Sequence, residues 1–227
     1  MARVHHKSVG GRDIATIVSD PPWSQNCYLI ADSTDRTIMI VDPGADSPEL
    51  RDVLRESGFR PALILITHGH PDHIGAAAAL CEDLDLDCQV GAGDARLVRH
   101  ASAYSAAFGK IPMTEPGRVR YVQASADIRF GGERVGIHAM PGHTPGSLAY
   151  QLDGLVLTGD ALFRERTPRT DLPGADRPAM IASIDRLLAV VPDDTDLLAG
   201  HGRPWTAGEA KSWWATTGRA SATGLAG

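Results

Sequence analysis

Apolar residues fall along the chain in strand-length blocks, each cut off by glycine, proline or a polar turn. β-Branched and leucine-rich runs predict strands over 12–18, 26–31 and 37–41. Pro21-Pro22 parts the first two, and Asp42-Pro43-Gly44 closes the third as a turn. The run 62–66, between Pro61 and a polar turn, reads as a buried strand, and 88–91 as a shorter one. Gly131-Gly132 predicts a hairpin joining 127–130 to 134–139, and Asp153-Gly154 one joining 147–152 to 155–158. Residues 196–199 make the last predicted strand. Leu50, Val53 and Leu54 keep helical spacing, predicting a helix over 47–57 with Ser47 as N-cap and Gly58 as its stop. Alanine-rich 74–84, short 94–100, amphipathic 180–190 and a closing 207–215 complete the helices.

The strands come in two sets, each interleaved with helices. That order predicts an α/β fold of two packed β-sheets with helices outside. A chain of 227 residues, 43% hydrophobic and 22% charged, can bury a substantial core, and we read 1–227 as a single domain. Residues 101–126 carry Tyr104, Phe108, Lys110, Met113 and Arg118 among glycine and proline breaks. They read as a loop-rich insert placed to cover a substrate. The tail from residue 216 is small and polar and is expected to fray.

A net charge of -6 with no basic run argues against nucleic acid and membrane surfaces as partners. No apolar window has the length of a signal peptide or a bilayer span, and Cys27, Cys81 and Cys88 show no CxxC spacing. Cys27, inside an apolar run, reads as a buried free thiol. These features point to the cytoplasm. Trp213 and Trp214 are candidates for covering a neighbouring surface, but nothing in the sequence sets the oligomeric state.

The chemistry concentrates in Thr67-His68-Gly69-His70-Pro71-Asp72-His73, directly after the strand 62–66. A strand running into a turn projects His68 and His70 to one side at period two, and the turn presents Asp72 and His73 from another direction. Neutral imidazole and carboxylate are ligands for zinc, iron or manganese. Three further positions share this character, each at a strand end beside glycine: His143 in Gly142-His143-Thr144, Asp160 after Gly159, and His201 between Gly200 and Gly202. Singly each is weak. Strand ends of one sheet system lie on a common edge, so together they are expected to converge. His138 alternates with apolar neighbours and is expected to face outward, while His5, His6 and His100 lie outside any motif.

The run His68-Gly69-His70-Pro71-Asp72-His73 resembles the HxHxDH signature of the metallo-β-lactamase superfamily. Gln25-Asn26-Cys27-Tyr28, Val41-Asp42-Pro43-Gly44, Gly142-His143-Thr144-Pro145-Gly146 and Arg169-Thr170-Asp171-Leu172-Pro173-Gly174 resemble one branch of it, the glyoxalase II (hydroxyacylglutathione hydrolase)-like group. The similarity runs from about residue 12 to 205. It implies an αββα sandwich with two metal sites in a cleft at one edge of the sheets. His68, His70 and His143 would hold the first ion, Asp72, His73 and His201 the second, and Asp160 would bridge them. Seven ligands over two ions leave room for a shared water, the open position that a catalytic site keeps. Two divalent ions, zinc first and iron or manganese as alternatives, would sit roughly 3.5–4 Å apart and bring that water's pKa toward neutrality. If one ion binds, Asp72 is freed to act as a general base.

The activity so implied is hydrolysis of a small acyl thioester by metal-bound hydroxide, the substrate being a small molecule. In glyoxalase II a C-terminal helical domain supplies much of the glutathione contact. With 26 residues after His201, that surface is expected from Tyr104, Phe108 and Met113 of the insert instead. Arg169 and Asp171 match the branch's RTD segment and are expected to form a structural ion pair near the cleft; Pro168 stands where the branch usually has glycine. Three other functions fit the same fold. A persulfide dioxygenase would hold a single iron on His68, His143 and Asp160; a lactonase or other ester hydrolase would use two metals; a metal-binding scaffold would have no activity.

Overall fold

A computed structural model of the chain describes residues 2–108 and 113–223. Its first half runs β1 (Arg3–Val9), β2 (Arg12–Val18), β3 (Asn26–Asp32), β4 (Thr37–Val41), α1 (Pro48–Ser57), β5 (Arg60–Leu65), α2 (Pro71–Ile74), α3 (Ala77–Leu84), β6 (Cys88–Gly91), α4 (Ala95–Arg99), α5 (Ala101–Phe108) and β7 (Val119–Val122). These seven strands form one sheet in chain order, antiparallel as far as β4 and parallel from β4 to β7. A small hairpin, β8 (Arg129–Phe130) with β9 (Glu133–Arg134), leads into the second half. There β10 (Gly136–Ala139), β11 (Leu148–Leu152), β12 (Leu155–Gly159), α6 (Arg177–Val190), β13 (Asp196–Ala199), β14 (Trp205–Thr206), α7 (Ala207–Trp213) and α8 (Arg219–Thr223) follow. Strands β10 to β14 form a five-stranded sheet in which β12 and β13 are parallel.

Alternation along the strands explains the layering. Tyr28, Ile30, Met39, Val41 and Leu65 point into a core shared with Tyr150, Leu155, Leu157 and Leu198 of the second sheet. Their neighbours Cys27, Leu29, Ile38, Ile40 and Ile64 point the other way, onto Leu50, Ile74, Ala77 and Leu80 of the helices. The outer face of the second sheet, with Ala149, Val156 and Leu197, packs on Met180, Ile184 and Leu187 of α6 and on Trp205 and Trp214. The central strands are therefore buried on both faces, which is why they read as continuous apolar runs. The result is the αββα sandwich implied by the sequence: two mixed sheets with helices outside. No helix among the described residues is long and apolar enough to cross a membrane.

Helix α1 begins and ends where its caps dictate: Ser47 Oγ accepts from Leu50 N, and Gly58 closes it at φ 64°. Elsewhere the structure corrects the sequence reading. The helix expected over 74–84 is two pieces, because the amide of Ala76 donates to Pro43 O at 2.9 Å instead of to its own helix. Residues 101–126 contain a helix and a sheet strand, α5 and β7, so the loop-rich reading fails there. Met113 packs into the core under the first sheet, while residues 109–112 (with Lys110) and the Phe108 side chain lie outside the described residues. The tail does not fray from 216. It continues as helix to Thr223, burying Ala222 and pairing Arg219 with Asp185 at 3.1 Å. The second arm of the 127–139 hairpin divides, since β10 leaves it to pair with β11. Strand β1 is unexpected: only Val9 of its seven residues is buried, so apolar patterning has little to register.

Strands β4, β5 and β6 run the same way in the first sheet. In the second sheet β10 and β12, both antiparallel to β11, run parallel to β13. Loops leaving the carboxyl ends of such strands share one edge, the place where open α/β sheets bind ligands.

Candidate metal centre

All seven expected side chains meet at that edge. Strand β5 delivers Thr67, His68 and His70; Pro71 then opens α2 at its first position, with His70 as N-cap and Asp72 in the first turn. Asp160 follows β12 and His201 follows β13. Three donor triads result, each with ligand atoms within 4.8 Å of one another: His68, His70 and His143; Asp72, His73 and His201; and His68, His73 and Asp160, which straddles the other two.

The spacing within the cluster is compatible with ligands around shared cations. His68 Nε2 lies 3.0 Å from His70 Nδ1. His201 Nε2 is 3.2 Å from Asp72 Oδ2, and His73 Nε2 is 3.7 Å from the same oxygen. Asp160 faces both sides, with Oδ1 3.4 Å from His73 Nε2 and Oδ2 3.7 Å from His143 Nε2 and 3.6 Å from His201 Nε2. Ligands around a tetrahedral zinc with bonds of about 2.0 Å sit about 3.3 Å apart, so the cluster brackets that edge length. The buried atoms His73 Nε2, His143 Nε2 and Asp160 Oδ1 have no hydrogen-bond partner. Orphaned buried polar atoms are costly unless something satisfies them, and three aimed at one space fit a cation. Gly200 keeps that space open, because a Cβ there would lie 2.2 Å from Asp160 Oδ1 and 2.5 Å from His73 Cε1. The residues present fit two divalent ions.

Three of the five imidazoles are aimed by their other nitrogen. His73 Nδ1 lies 2.8 Å from Asp42 Oδ2, His143 Nδ1 2.9 Å from the Arg169 carbonyl, and His201 Nδ1 3.0 Å from the Trp23 carbonyl. A donated Nδ1–H leaves Nε2 free to ligate. Asp42 is buried, sits at φ 51°, and also accepts from Thr67 N and Thr67 Oγ1, both at 2.6 Å. A second buried carboxylate, Asp94, accepts from Gly69 N at 2.8 Å, Thr144 Oγ1 at 2.7 Å and Gly146 N at 2.7 Å. It ties the His68–His70 loop to the His143 loop. Sequence reasoning treats Asp42 as a turn residue and Asp94 as a helix start; only their burial reveals these roles. Asn26 does similar work for His201, donating from Nδ2 to Ala199 O and Gly202 O while its amide bonds Gly200 O at 2.8 Å.

Electrostatics follow from this packing. Burial and the neighbouring imidazoles keep His68 neutral, its pKa well below the usual histidine range, and lower His70 to about 3. Burial also works against a charged His73, but Asp160, Asp72 and Asp42 outweigh it and raise its pKa well above normal. Burial would raise Asp160, yet His73, His201 and His143 hold its carboxyl low. Burial pushes the Asp94 carboxyl up, against its three donors.

A cleft of about 450 Å³ opens over the cluster. His70, Asp72, His143, Asp160 and His201 make its floor; Trp23, Tyr104, Phe163, Arg166, Arg169 and Pro173 stand around it. Of the insert residues named from sequence, Tyr104 reaches this cleft and Met113 does not. Arg169 and Asp171 pair as expected, at 2.8 and 2.7 Å. That bond holds the Asp171 carboxyl down to about 2. His138 is half-buried and bonds Gln151 Oε1 at 2.7 Å, away from the cleft, and His5, His6 and His100 are exposed. The three cysteines are buried and unpaired.

Comparison with known proteins agrees with this architecture. Hydroxyacylglutathione hydrolase GloC of Haemophilus influenzae is 32% identical, over 86% of this chain and 93% of its own. A structure of TTHA1623 in a di-iron-bound form superposes with TM-score 0.77 at 34% identity, covering 88% of this chain and 97% of that one. The BLEG-1 B3 metallo-beta-lactamase superposes with TM-score 0.80 at 28% identity, covering 88% and 96%. The family model of the metallo-beta-lactamase superfamily matches residues 20–203, from the approach to β3 through the His201 loop, and the chain belongs to that superfamily.

Proposed function

We propose that the chain is a two-metal hydrolase of a small acyl thioester, with His68, His70 and His143 holding one cation and Asp72, His73 and His201 the other. Asp160 would join them, one oxygen to each side. The observation that carries the reading is the pair of complete triads linked by a third that contains Asp160, with buried, unpartnered nitrogens on both sides of that carboxylate. When bound, two cations supply an acidified water and a Lewis acid for the substrate carbonyl.

The chain's own residues do the rest. Asp42, the Arg169 carbonyl and the Trp23 carbonyl keep three Nε2 atoms turned inward. Asp72, 3.2 Å from His201 Nε2, would serve as a ligand in the two-metal form, and its alternative role as a general base belongs to the one-ion form. Trp23, Phe163 and Pro173 give one side of the cleft an apolar wall that suits an apolar acyl or thiol segment. Similarity to the Haemophilus hydroxyacylglutathione hydrolase favours a thioester over other acyl compounds. A one-iron dioxygenase on His68, His143 and Asp160 would leave His70, Asp72, His73 and His201 without a task, which weighs against it.

Metal analysis of protein purified without added metal, followed by a panel of thioesters, lactones and a β-lactam, tests the proposal. The expected result is near two ions per chain with thioesters turned over fastest. One iron per chain with oxygen uptake on a persulfide would replace it with the dioxygenase reading, and lactones turned over faster than thioesters would shift the substrate class. A protein without metal would remove hydrolysis altogether.

A further inference from the structure

Three arginines lie on the segment that walls the cleft, and the structure commits two of them. Arg164 donates to Pro204 O at 3.2 Å and to Glu209 at 3.1 Å. Arg169 is held by both oxygens of Asp171. Arg166 lines the cleft, and among the described residues no carboxylate lies within 4.0 Å of it.

Its position is fixed by the backbone. Phe163 N donates to Arg166 O at 3.1 Å and Arg166 N to Phe163 O at 3.3 Å, closing a tight turn whose tip residue, Glu165, sits at φ 54°. Residues paired this way project to the same side, and the Arg166 guanidinium carbon lies 4.8 Å over the Phe163 ring. Phe163 is itself buried and meets the His201 imidazole edge-on, ring centres 6.0 Å apart. One aromatic ring thus separates an uncommitted, stacked guanidinium from a metal-site histidine. Stacking pre-orders the guanidinium fork, so less freedom is lost when it binds a planar anion.

We propose that Arg166 sets substrate specificity by receiving a carboxylate that the substrate carries several bonds from its scissile carbonyl. This rests on the hydrolase reading above. The chain carries net charge -6, so its overall field does not favour an anion and recognition has to be local; the guanidinium is a fixed positive group at the cleft wall, apart from the cations proposed at its floor. The carboxylate could belong to the acyl or to the thiol half; the chemistry is the same, and the test separates the two.

Three thioesters suffice: an acetyl thioester of a neutral thiol, a succinyl thioester of that thiol, and an acetyl thioester of 3-mercaptopropionate. For wild-type protein, KM for one of the two carboxylated substrates is expected about tenfold below that of the neutral one, the size of a partly exposed charge-assisted contact. Arg166→Gln should bring the KM ratio toward one, Arg166→Lys should restore part of it, and Arg166→Glu should invert it. A wild-type ratio near one for both, or a ratio that survives Arg166→Gln, overturns the proposal. If no thioester is turned over, the hydrolase reading fails, and calorimetric titration of metal-loaded protein with succinate and propionate decides about Arg166 alone. Succinate bound about tenfold more weakly by Arg166→Gln, with propionate unchanged, keeps the anion site. Equal succinate affinities end it.

Discussion

The two sheets hold the side chains of the candidate metal centre by different means. On the first sheet the ligand turn is aimed by buried side-chain carboxylates: Asp42 grips Thr67 and His73, and Asp94 grips Gly69. On the second sheet His143 and His201 are aimed by main-chain carbonyls, those of Arg169 and Trp23. A carboxylate can be removed by one substitution, whereas a carbonyl survives any change of its side chain. The first half of the centre is therefore fragile to point mutation and the second half is robust to it. Two side chains cross the divide: Asp94 also bonds Thr144 and Gly146, beside His143, and Asn26 bonds the carbonyls of Ala199 and Gly202, beside His201.

Asp42→Ala should break the fragile half most completely. It strips a buried acceptor from Thr67 N, Thr67 Oγ1 and His73 Nδ1 at once. Removing one partner of a buried charged network costs about 3–5 kcal/mol, and losing a ligand's orienting group costs about 10–100-fold in metal affinity. Urea unfolding of metal-free protein and metal titration measure the two separately. A loss of affinity without a loss of stability would mean that Asp42 acts on the bound ion and not on the fold.

Stripping the metals should sharpen the contrast next. An ion present at 100 times its Kd stabilises by about 2.7 kcal/mol, so chelation should lower Tm by about 5–10 °C in a chain of this size. Hydrogen exchange should then show the two halves parting. The amides of Thr67 and Gly69, donating to Asp42 and Asp94, should keep protection, while those around His201 should lose it. Uniform loss would show that the carboxylates order nothing without the ions.

How much of this is legible in the sequence follows the same line. The seven side chains that meet in the cluster are readable because histidine and aspartate crowd the ends of apolar strands, and strand ends of one sheet system share an edge. Asp42 and Asp94 are not, since an aspartate after a strand reads as turn chemistry and one before a helix as a cap. Their burial depends on which loops meet over them, and no local pattern encodes that. Helix α5, Ala101–Phe108, escapes notice because its run of alanine and serine has almost no amphipathic face. The tail escapes because what orders it is a single buried alanine and an arginine–aspartate pair with α6. The layer order is legible, since doubly buried central strands need cover on both faces.

Asp94→Asn should cost less than Asp42→Ala. It keeps one acceptor oxygen but turns an amide N–H₂ toward either Gly146 N or the Gly69 and Thr144 donors. We expect roughly 1–3 kcal/mol, the cost of an unmade buried hydrogen bond. Because this carboxylate spans both halves, the His68, His70 and His143 site should lose affinity while the Asp72, His73 and His201 site keeps it. Equal weakening of both would place Asp94 in the general scaffold instead of in the tie between two loops.

The smallest effect belongs to Arg169→Ala, and it tests the robust half directly. The side chain is exposed and bonds Asp171 two residues away, a solvent-screened surface pair that contributes little to stability. What aims His143 is the Arg169 carbonyl, which alanine retains. Tm should therefore move by no more than a few degrees, and metal stoichiometry should stay at the wild-type value, read by the same metal analysis. A lost ion at His68, His70 and His143 would show that the ion pair, by bracing residues 169–171, is what holds that carbonyl in place, and the line drawn between side-chain and main-chain aiming would then fail on the side where it looks safest.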